Sequence, residues 1–120
     1  MSAPAQSPDT ALTDRITLEL RRLCIPGCLR GFKYLAYMLA QAVPDQNRLV
    51  LITKNLYPDT GRSFGVSAAS LERAVRTAIS SGWKRGGRSV LEEMACCSLS
   101  TRPTASQFLD IVADYIRRTR

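Results

Sequence analysis

The sequence predicts an all-α protein of about six helices that contains a helix-turn-helix unit. Apolar residues recur at helical spacing through most of the chain, no stretch is typical of a strand, and prolines or glycines separate the periodic stretches. The stretch around Gly65-Val66-Ser67 has the turn that joins the two helices of such a unit. With 120 residues, 45% of them hydrophobic, the chain is long enough for one core, so we expect a single domain.

The N-terminal segment differs from the rest in composition. It contains Pro4 and Pro8 and few bulky apolar side chains, which predicts a disordered tail or linker remnant over residues 1–13 and a helix-turn-helix domain over residues 14–120. We find no signal peptide and no apolar run of the roughly 20 residues that cross a bilayer. The expected location is therefore the cytoplasm, without a membrane partner.

Three helices are predicted before the helix-turn-helix unit. The first is capped by Thr13 or Asp14 and ends at Pro26-Gly27, and its apolar residues Ile16, Leu18, Leu20 and Leu23 are imperfectly periodic. The second follows Gly31 and ends at Pro44, with an apolar stripe of Phe32, Leu35, Ala36, Leu39 and Val43. The third carries Leu49, Leu51, Ile52 and Leu56. Because proline is tolerated at the start of a helix but not inside one, Pro58 predicts a separate short helix to Phe64.

The turn after Phe64 has the residues that a helix-turn-helix needs. Gly61 is small enough for two helices to cross there, and Gly65 can adopt the positive φ that costs other residues about 1 kcal/mol or more. Val66 can fill the gap between the helices. The Ser67 hydroxyl can accept the free N–H groups that open a second helix, which we predict over about residues 67–83.

The second helix of the unit has an apolar face and a small, polar and basic face. Its inner residues are Leu71, Ala74, Val75, Ala78 and Ile79, and its outer residues include Ala69, Ser70, Arg73, Arg76, Thr77 and Ser80. Arginines can bond guanine with two donors, so Arg73 and Arg76 are suited to reading bases in the major groove. The alternative is an ordinary solvated face with an ion pair between Glu72 and Arg76. The turn favours the DNA-reading interpretation, because a solvated face does not require it.

Two further helices are predicted after this one. Gly86-Gly87 ends the recognition helix, and Ser89 can cap a short helix that contains Val90, Leu91 and Met94. Arg102-Pro103-Thr104 opens a final helix lined by Phe108, Ile111, Val112, Tyr115 and Ile116.

The charge of the chain points to a polyanionic partner. The net charge is +7, and much of the excess lies in and just after the predicted recognition helix, which is typical of phosphate contact. The expected contacts with the DNA backbone come from Ser67, Ser70, Lys84, Arg85 and Arg88.

Composition argues against a metal centre and against an enzyme. The chain has no histidine, and its four cysteines stand as Cys24, Cys28 and the adjacent pair Cys96-Cys97, without a Cys-x-x-Cys pair. We expect these cysteines to be small buried apolar residues. No Gly-rich phosphate loop follows a strand, and the usual general base is missing. The predicted protein therefore has no cofactor and no catalytic residue.

Several motifs together also resemble a known family. They are Ile25-Pro26, Arg30-Gly31-Phe32-Lys33-Tyr34-Leu35, Ile52-Thr53-Lys54-Asn55-Leu56-Tyr57-Pro58, Leu71-Glu72-Arg73-Ala74-Val75-Arg76, Ala78-Ile79, Trp83-Lys84-Arg85-Gly86 and Arg102-Pro103-Thr104-Ala105-Ser106-Gln107-Phe108. From Ile16 to Arg117 the chain resembles the C-terminal DNA-binding domain of the sporulation initiation response regulator, stage zero sporulation protein A.

The resemblance implies a six-helix domain whose recognition helix reads a short promoter element in double-stranded DNA. It implies base reading by Glu72, Arg73 and Arg76, where Glu72 can accept from a cytosine amino group. It also implies that copies occupy tandem sites as a weak, DNA-assisted homodimer that touches partly through the terminal helix. RNA polymerase is a further expected partner.

The chain departs from this family at positions that matter for function. Ser70 stands where the family has a basic residue, and no receiver domain is recognisable. We therefore expect an excised effector domain or a stand-alone paralogue. A paralogue could act as a protein-interaction or antagonist module that keeps the fold without specific DNA binding. The basic cluster favours DNA, because such a module has no reason to keep it.

Overall fold

A computed structural model describes residues 8–45 and 55–120, and these ranges contain six α-helices and no strand. The helices are α1 (Pro8–Arg22), α2 (Arg30–Ala42), α3 (Leu56–Phe64), α4 (Ala68–Gly82), α5 (Arg88–Ala95) and α6 (Ala105–Thr119). The predicted all-α class is confirmed. Of the third predicted helix, Leu49, Leu51 and Ile52 lie outside the described residues, and Leu56 belongs to α3. No helix in the described ranges is long and apolar enough to cross a membrane.

The α2 helix lies at the centre of the molecule and packs against α4, α1 and α6. Its crossing with α4 is very close at Gly31, where a Cβ atom would lie 2.3 Å from the Ala74 carbonyl oxygen and 2.6 Å from the Ala78 Cβ. The α2 backbone therefore rests directly on α4. This contact fixes the start of α2 beside the outer face of α4.

The first helix begins earlier than predicted. It starts at Pro8 rather than after Thr13, so residues 8–13 of the expected tail are helical, and Leu12 is only 6% exposed. Leu12, Ile16 and Leu20 are four residues apart and share one buried stripe, whereas Leu18 lies on the opposite side and is 55% exposed. This arrangement accounts for the imperfect periodicity of the apolar residues in this helix.

The buried stripe of α1 also contains a charged residue, Glu19, which is 3% exposed. Its two carboxylate oxygens accept hydrogen bonds from Arg15 Nε at 2.8 Å and from Arg22 Nη1 at 2.6 Å. Arg15 also donates to the hydroxyl of Thr119 at the end of α6. A buried charge is tolerated when it is paired in this way, so Glu19 and its partners connect α1 to α6.

The final helix closes the core. Phe108, Val112 and Ile116 are buried as predicted, while Ile111 and Tyr115 are only half-buried. The helix opens with a capping box, in which Thr104 Oγ1 accepts from the Gln107 N–H at 3.1 Å and Gln107 Oε1 accepts from the Thr104 N–H at 3.0 Å. These bonds satisfy two backbone donors and fix the direction in which α6 leaves the preceding loop.

Two smaller predictions need correction. Ser89 does not cap α5, because the chain is already helical at Gly87 and the Ser89 hydroxyl donates to the Gly86 carbonyl at 3.4 Å. The cysteines are not buried: Cys28, Cys96 and Cys97 are exposed and Cys24 is half-exposed, all as free thiols. They lie in the turns after α1 and α5 rather than on apolar stripes.

Candidate nucleic-acid interface

The turn between α3 and α4 has the predicted geometry. Gly65 adopts φ 67° and ψ 37°, and Ser67 Oγ accepts from the Ser70 N–H at 3.1 Å. Gly61 has a different role from the predicted one, because a Cβ there would lie 2.8 Å from the Val66 carbonyl oxygen. It makes room for the turn itself, whereas the close helix crossing is at Gly31. The turn sets the start of α4 and so determines which face of that helix is exposed.

The two faces of α4 differ as the sequence predicted. The buried residues are Leu71, Val75, Ala78, Ile79 and Gly82, and Ala74 is half-buried. The exposed residues include Ala69, Ser70, Glu72, Arg73, Arg76 and Thr77. An exposed helix face of small and basic residues can approach a nucleic acid closely without leaving an apolar surface in water.

The three predicted base-reading residues lie together in an open cleft of about 700 Å³ along this face. The cleft is lined by Ala69, Glu72, Arg73, Arg76, Thr77, Ser80, Ser81, Lys84 and Arg102. Within residues 8–45 and 55–120, no carboxylate lies within 4.0 Å of the Arg73 or Arg76 guanidinium. The alternative ion pair between Glu72 and Arg76 is therefore not formed. Both guanidinium groups keep their donors available for a ligand.

A buried phenol lies close to this cleft and was not singled out by sequence reasoning. Tyr57 of α3 is 6% exposed. Burial raises the pKa of Tyr57, the negative charge of Glu72 raises it further, and the positive charge of Arg76 opposes these effects. The Glu72 and Arg76 side chains are therefore close enough to Tyr57 for their charges to shift the pKa of its hydroxyl. Because its pKa is raised above the ordinary value of a tyrosine, Tyr57 stays neutral at physiological pH.

The residues predicted to contact the DNA backbone divide into two groups, and the first group lies beside the cleft or at the start of α4. Lys84 lines the cleft, and Ser70 lines an adjacent groove together with Arg73. Ser67 lies at the start of α4, where its hydroxyl caps the helix and also donates to the Ser70 hydroxyl at 3.1 Å.

Arg85 and Arg88 lie outside the cleft lining, in and after the turn that follows α4. This turn comprises Trp83–Gly87 and is π-helical, and its Gly86 has φ 110°. Arg85 Nε donates to Ser81 Oγ at 3.2 Å. Arg88 pairs with Glu92 at 3.5 Å and lies 5.3 Å from the centre of the Trp83 ring. Arg88 is therefore already engaged within the domain.

Two basic residues border α4 that the sequence reasoning had not assigned to the site. Arg102, just before α6, lines the main cleft and a smaller one shared with Glu72 and Arg76. Arg30, the first residue of α2, lines the groove on the other side of α4 with Ser70 and Thr77. Both side chains are exposed. Helical spacing could not assign them to the site, because it identifies only residues on one helix and both lie far from α4 in the sequence.

The described ranges contain no group of three or more His, Cys, Asp or Glu side chains that could hold a metal ion. The polar side chains that line this surface are guanidinium, ammonium and hydroxyl donors together with the Glu72 carboxylate. Such donors recognise phosphates and base edges.

Comparison with protein families agrees with this geometry. A family model described as Sporulation initiation factor Spo0A C terminal matches residues 16–116 of the 120-residue chain. The matched range includes all of α2 to α5, most of α6 and the C-terminal part of α1, and so contains the complete helix-turn-helix. Domains of this family are DNA-binding regulators of transcription in sporulation rather than enzymes.

Proposed function

Because this chain belongs to the Spo0A C-terminal domain family, we propose that it binds promoter DNA sequence-specifically and regulates transcription. One observation supports this proposal most strongly. Arg73 and Arg76 are exposed on the face of α4 opposite the core, in an open cleft. The left-handed turn at Gly65 and the Ser67 cap lead into this helix, as in a helix-turn-helix.

Base reading in this proposal depends on α4 entering the major groove. Arg73 and Arg76 would each bond the O6 and N7 atoms of a guanine, and Glu72 would accept from the amino group of a cytosine. Ala69 and Ser80 lie on the same side of the helix and are small, so the helix axis can come close to the bases. Lys84 at the end of this face would contact phosphate, since an ammonium group acts as a point charge there.

The competing function is a protein-interaction or antagonist module with the same fold. The surface favours DNA, because the guanidinium groups of Arg73 and Arg76 face solvent with no carboxylate partner in the described ranges. A protein surface that docks against an apolar partner would have to bury these charges at a high cost. The homodimer on tandem sites and the contact with RNA polymerase stay predictions.

Selection of bound duplexes from a random pool, followed by titration of the selected duplex, tests the proposal. We expect a preferred sequence, and an affinity that falls steeply between about 50 and about 200 mM salt because bound counterions are released. The matched control is the double variant Arg73→Ala/Arg76→Ala, which should keep the helical circular dichroism spectrum and lose the preference. If the folded protein bound no duplex even at low salt, the DNA function would be wrong and the interaction module would be favoured.

A further inference from the structure

We propose that Arg30 and Arg102, which lie outside the helix-turn-helix, bind phosphates on the two opposite DNA strands that border the groove occupied by α4. This inference rests on the proposed function and adds the way the domain holds the duplex. The two residues are 72 positions apart in the chain. The fold places them beside the two edges of one helix face.

Arg102 lies beside one edge of the exposed face of α4. It lines a cleft of about 240 Å³ together with Glu72, Arg76 and Ile79 of α4 and with the residues that open α6. Its backbone position is well defined, since Pro103 next to it is buried and Thr104 is held by the capping box. The preceding loop is held as well, because the Glu92 carboxylate accepts from the Leu99 N–H at 2.7 Å.

Arg30 lies beside the other edge of the same face. It lines a groove of about 300 Å³ together with Ser70, Arg73 and Thr77 of α4. The close contact between Gly31 and the Ala74 carbonyl fixes the start of α2 at this place. Arg30 is thus the first residue of a helix rather than part of a loop, and it lines the same groove as Arg73, a proposed base reader.

The two edges correspond to the two sides of a DNA groove. On a helix, Ser70 and Thr77 lie on one flank of the outward face, and Glu72 and Ile79 lie on the opposite flank. The major groove is about 12 Å wide, and a helix with its side chains is about 10–12 Å across. A helix that fills the groove therefore has one phosphate backbone on each side. Arg30 would face one strand and Arg102 would face the other.

The electrostatic state of these two arginines also favours an external anion. Within the described ranges, neither guanidinium lies within 4.0 Å of a carboxylate. Several other arginines in these ranges are engaged, since Arg22 pairs with Glu19, Arg88 pairs with Glu92 and Arg118 pairs with Asp114. A free guanidinium with its planar set of donors matches a phosphate group and can bond it with two parallel hydrogen bonds.

The test uses Arg30→Ala and Arg102→Ala on the duplex that the unaltered protein selects. Each variant should weaken binding to all sequences alike and reduce the slope of log Kobs against log salt by about 1. Ethylation interference should lose one phosphate contact on one strand in Arg30→Ala and one on the other strand in Arg102→Ala. Arg30→Lys and Arg102→Lys keep the charge and should restore most of the slope.

Arg120→Ala is the matched control, because it removes one exposed arginine at the far end of α6, about 22 Å from the capping box at its start. It should leave the slope on a single-site duplex unchanged. Circular dichroism and thermal unfolding verify that every variant is folded. If the unaltered protein binds and both alanine variants keep its slope, or if both lose contacts on the same strand, the inference is wrong. If the unaltered protein binds no duplex, the proposed function itself fails, and the inference fails with it.

Discussion

At the scale of single residues, Arg73 and Lys84 line the same cleft but differ in what they can recognise. Arg73 lies in the middle of the exposed face of α4, where its planar donors can meet a base edge. Lys84 lies beyond the last residue of α4, and its single ammonium group is suited to the negative charge of the backbone. The two positions should therefore contribute to binding in different ways.

We predict that Arg73→Ala costs about 1–3 kcal/mol of binding free energy on the preferred duplex and relaxes discrimination at one base pair. Lys84→Ala should weaken preferred and random duplexes by the same factor. Titration of both variants against a set of single-base-pair variants of the preferred site provides the comparison. An equal loss on preferred and random duplexes for Arg73→Ala would identify it as a phosphate contact, and the assignment of base-reading residues would need revision.

The candidate site could be predicted from the sequence where its residues share one helix. Arg73 and Arg76 follow from helical spacing together with the turn residues before them, whereas helical spacing gave Glu72 only as an ion-pair partner and the resemblance to the family added its base-reading role. Arg30 and Arg102 could not be predicted in the same way, because their place beside α4 depends on how α2 and α6 pack in three dimensions. A single chain without related sequences contains no signal for such a long-range pair.

At the scale of elements, the crossing of α2 and α4 determines whether Arg30 and α4 form one surface. We predict that Gly31→Ala destabilises the fold by about 1–3 kcal/mol or more, because the new methyl group would overlap the backbone of α4. Gly27→Ala is the matched control. Its Cβ would meet nothing within 4 Å, so its effect should stay within about 0.5 kcal/mol.

Urea unfolding of both variants, followed by circular dichroism, measures these changes. If Gly31→Ala were as stable as the unaltered protein, the close contact of α2 with α4 would not exist in solution. The same two variants also bear on function. A Gly31→Ala protein that stays folded but has a shifted α2 should bind DNA less tightly than the Gly27→Ala control.

The helix boundaries show which sequence signals were sufficient to predict where a helix begins. The start of α4 was predicted from the Ser67 cap, and the start of α6 was predicted from Arg102-Pro103-Thr104, of which Thr104 is the cap in the structure. The predicted start of α1 was wrong for two reasons. Pro8 can open a helix as well as interrupt one, and Leu12 was not recognised as part of the buried stripe that contains Ile16 and Leu20. Ser89 resembled a cap, but the turn at Gly86 had already set the direction of α5.

At the scale of the whole molecule, most of the apolar surface of α6 is used inside the domain. Phe108, Val112 and Ile116 are buried in its own core. The half-buried Tyr115 ring is covered by two cations, with Arg15 at 5.8 Å and Arg118 at 5.7 Å from its centre. In the described ranges the exposed large apolar side chain is Leu18 on α1, so α6 offers little apolar surface toward the roughly 1,200–2,000 Å² of a stable interface. A free dimer is therefore not expected from this surface.

DNA can favour dimerisation, because two copies bound at adjacent sites have an effective concentration in the millimolar range. At that concentration a weak contact is sufficient to hold the two copies together. We therefore predict a monomer in free solution and cooperative occupation of two adjacent sites. Sedimentation of the free protein and titration of one-site and two-site duplexes measure the two properties separately. Ile111→Asp, a half-buried position on α6, should reduce the cooperativity and leave the one-site affinity unchanged. A stable dimer without DNA, or independent filling of the two sites, would contradict the prediction.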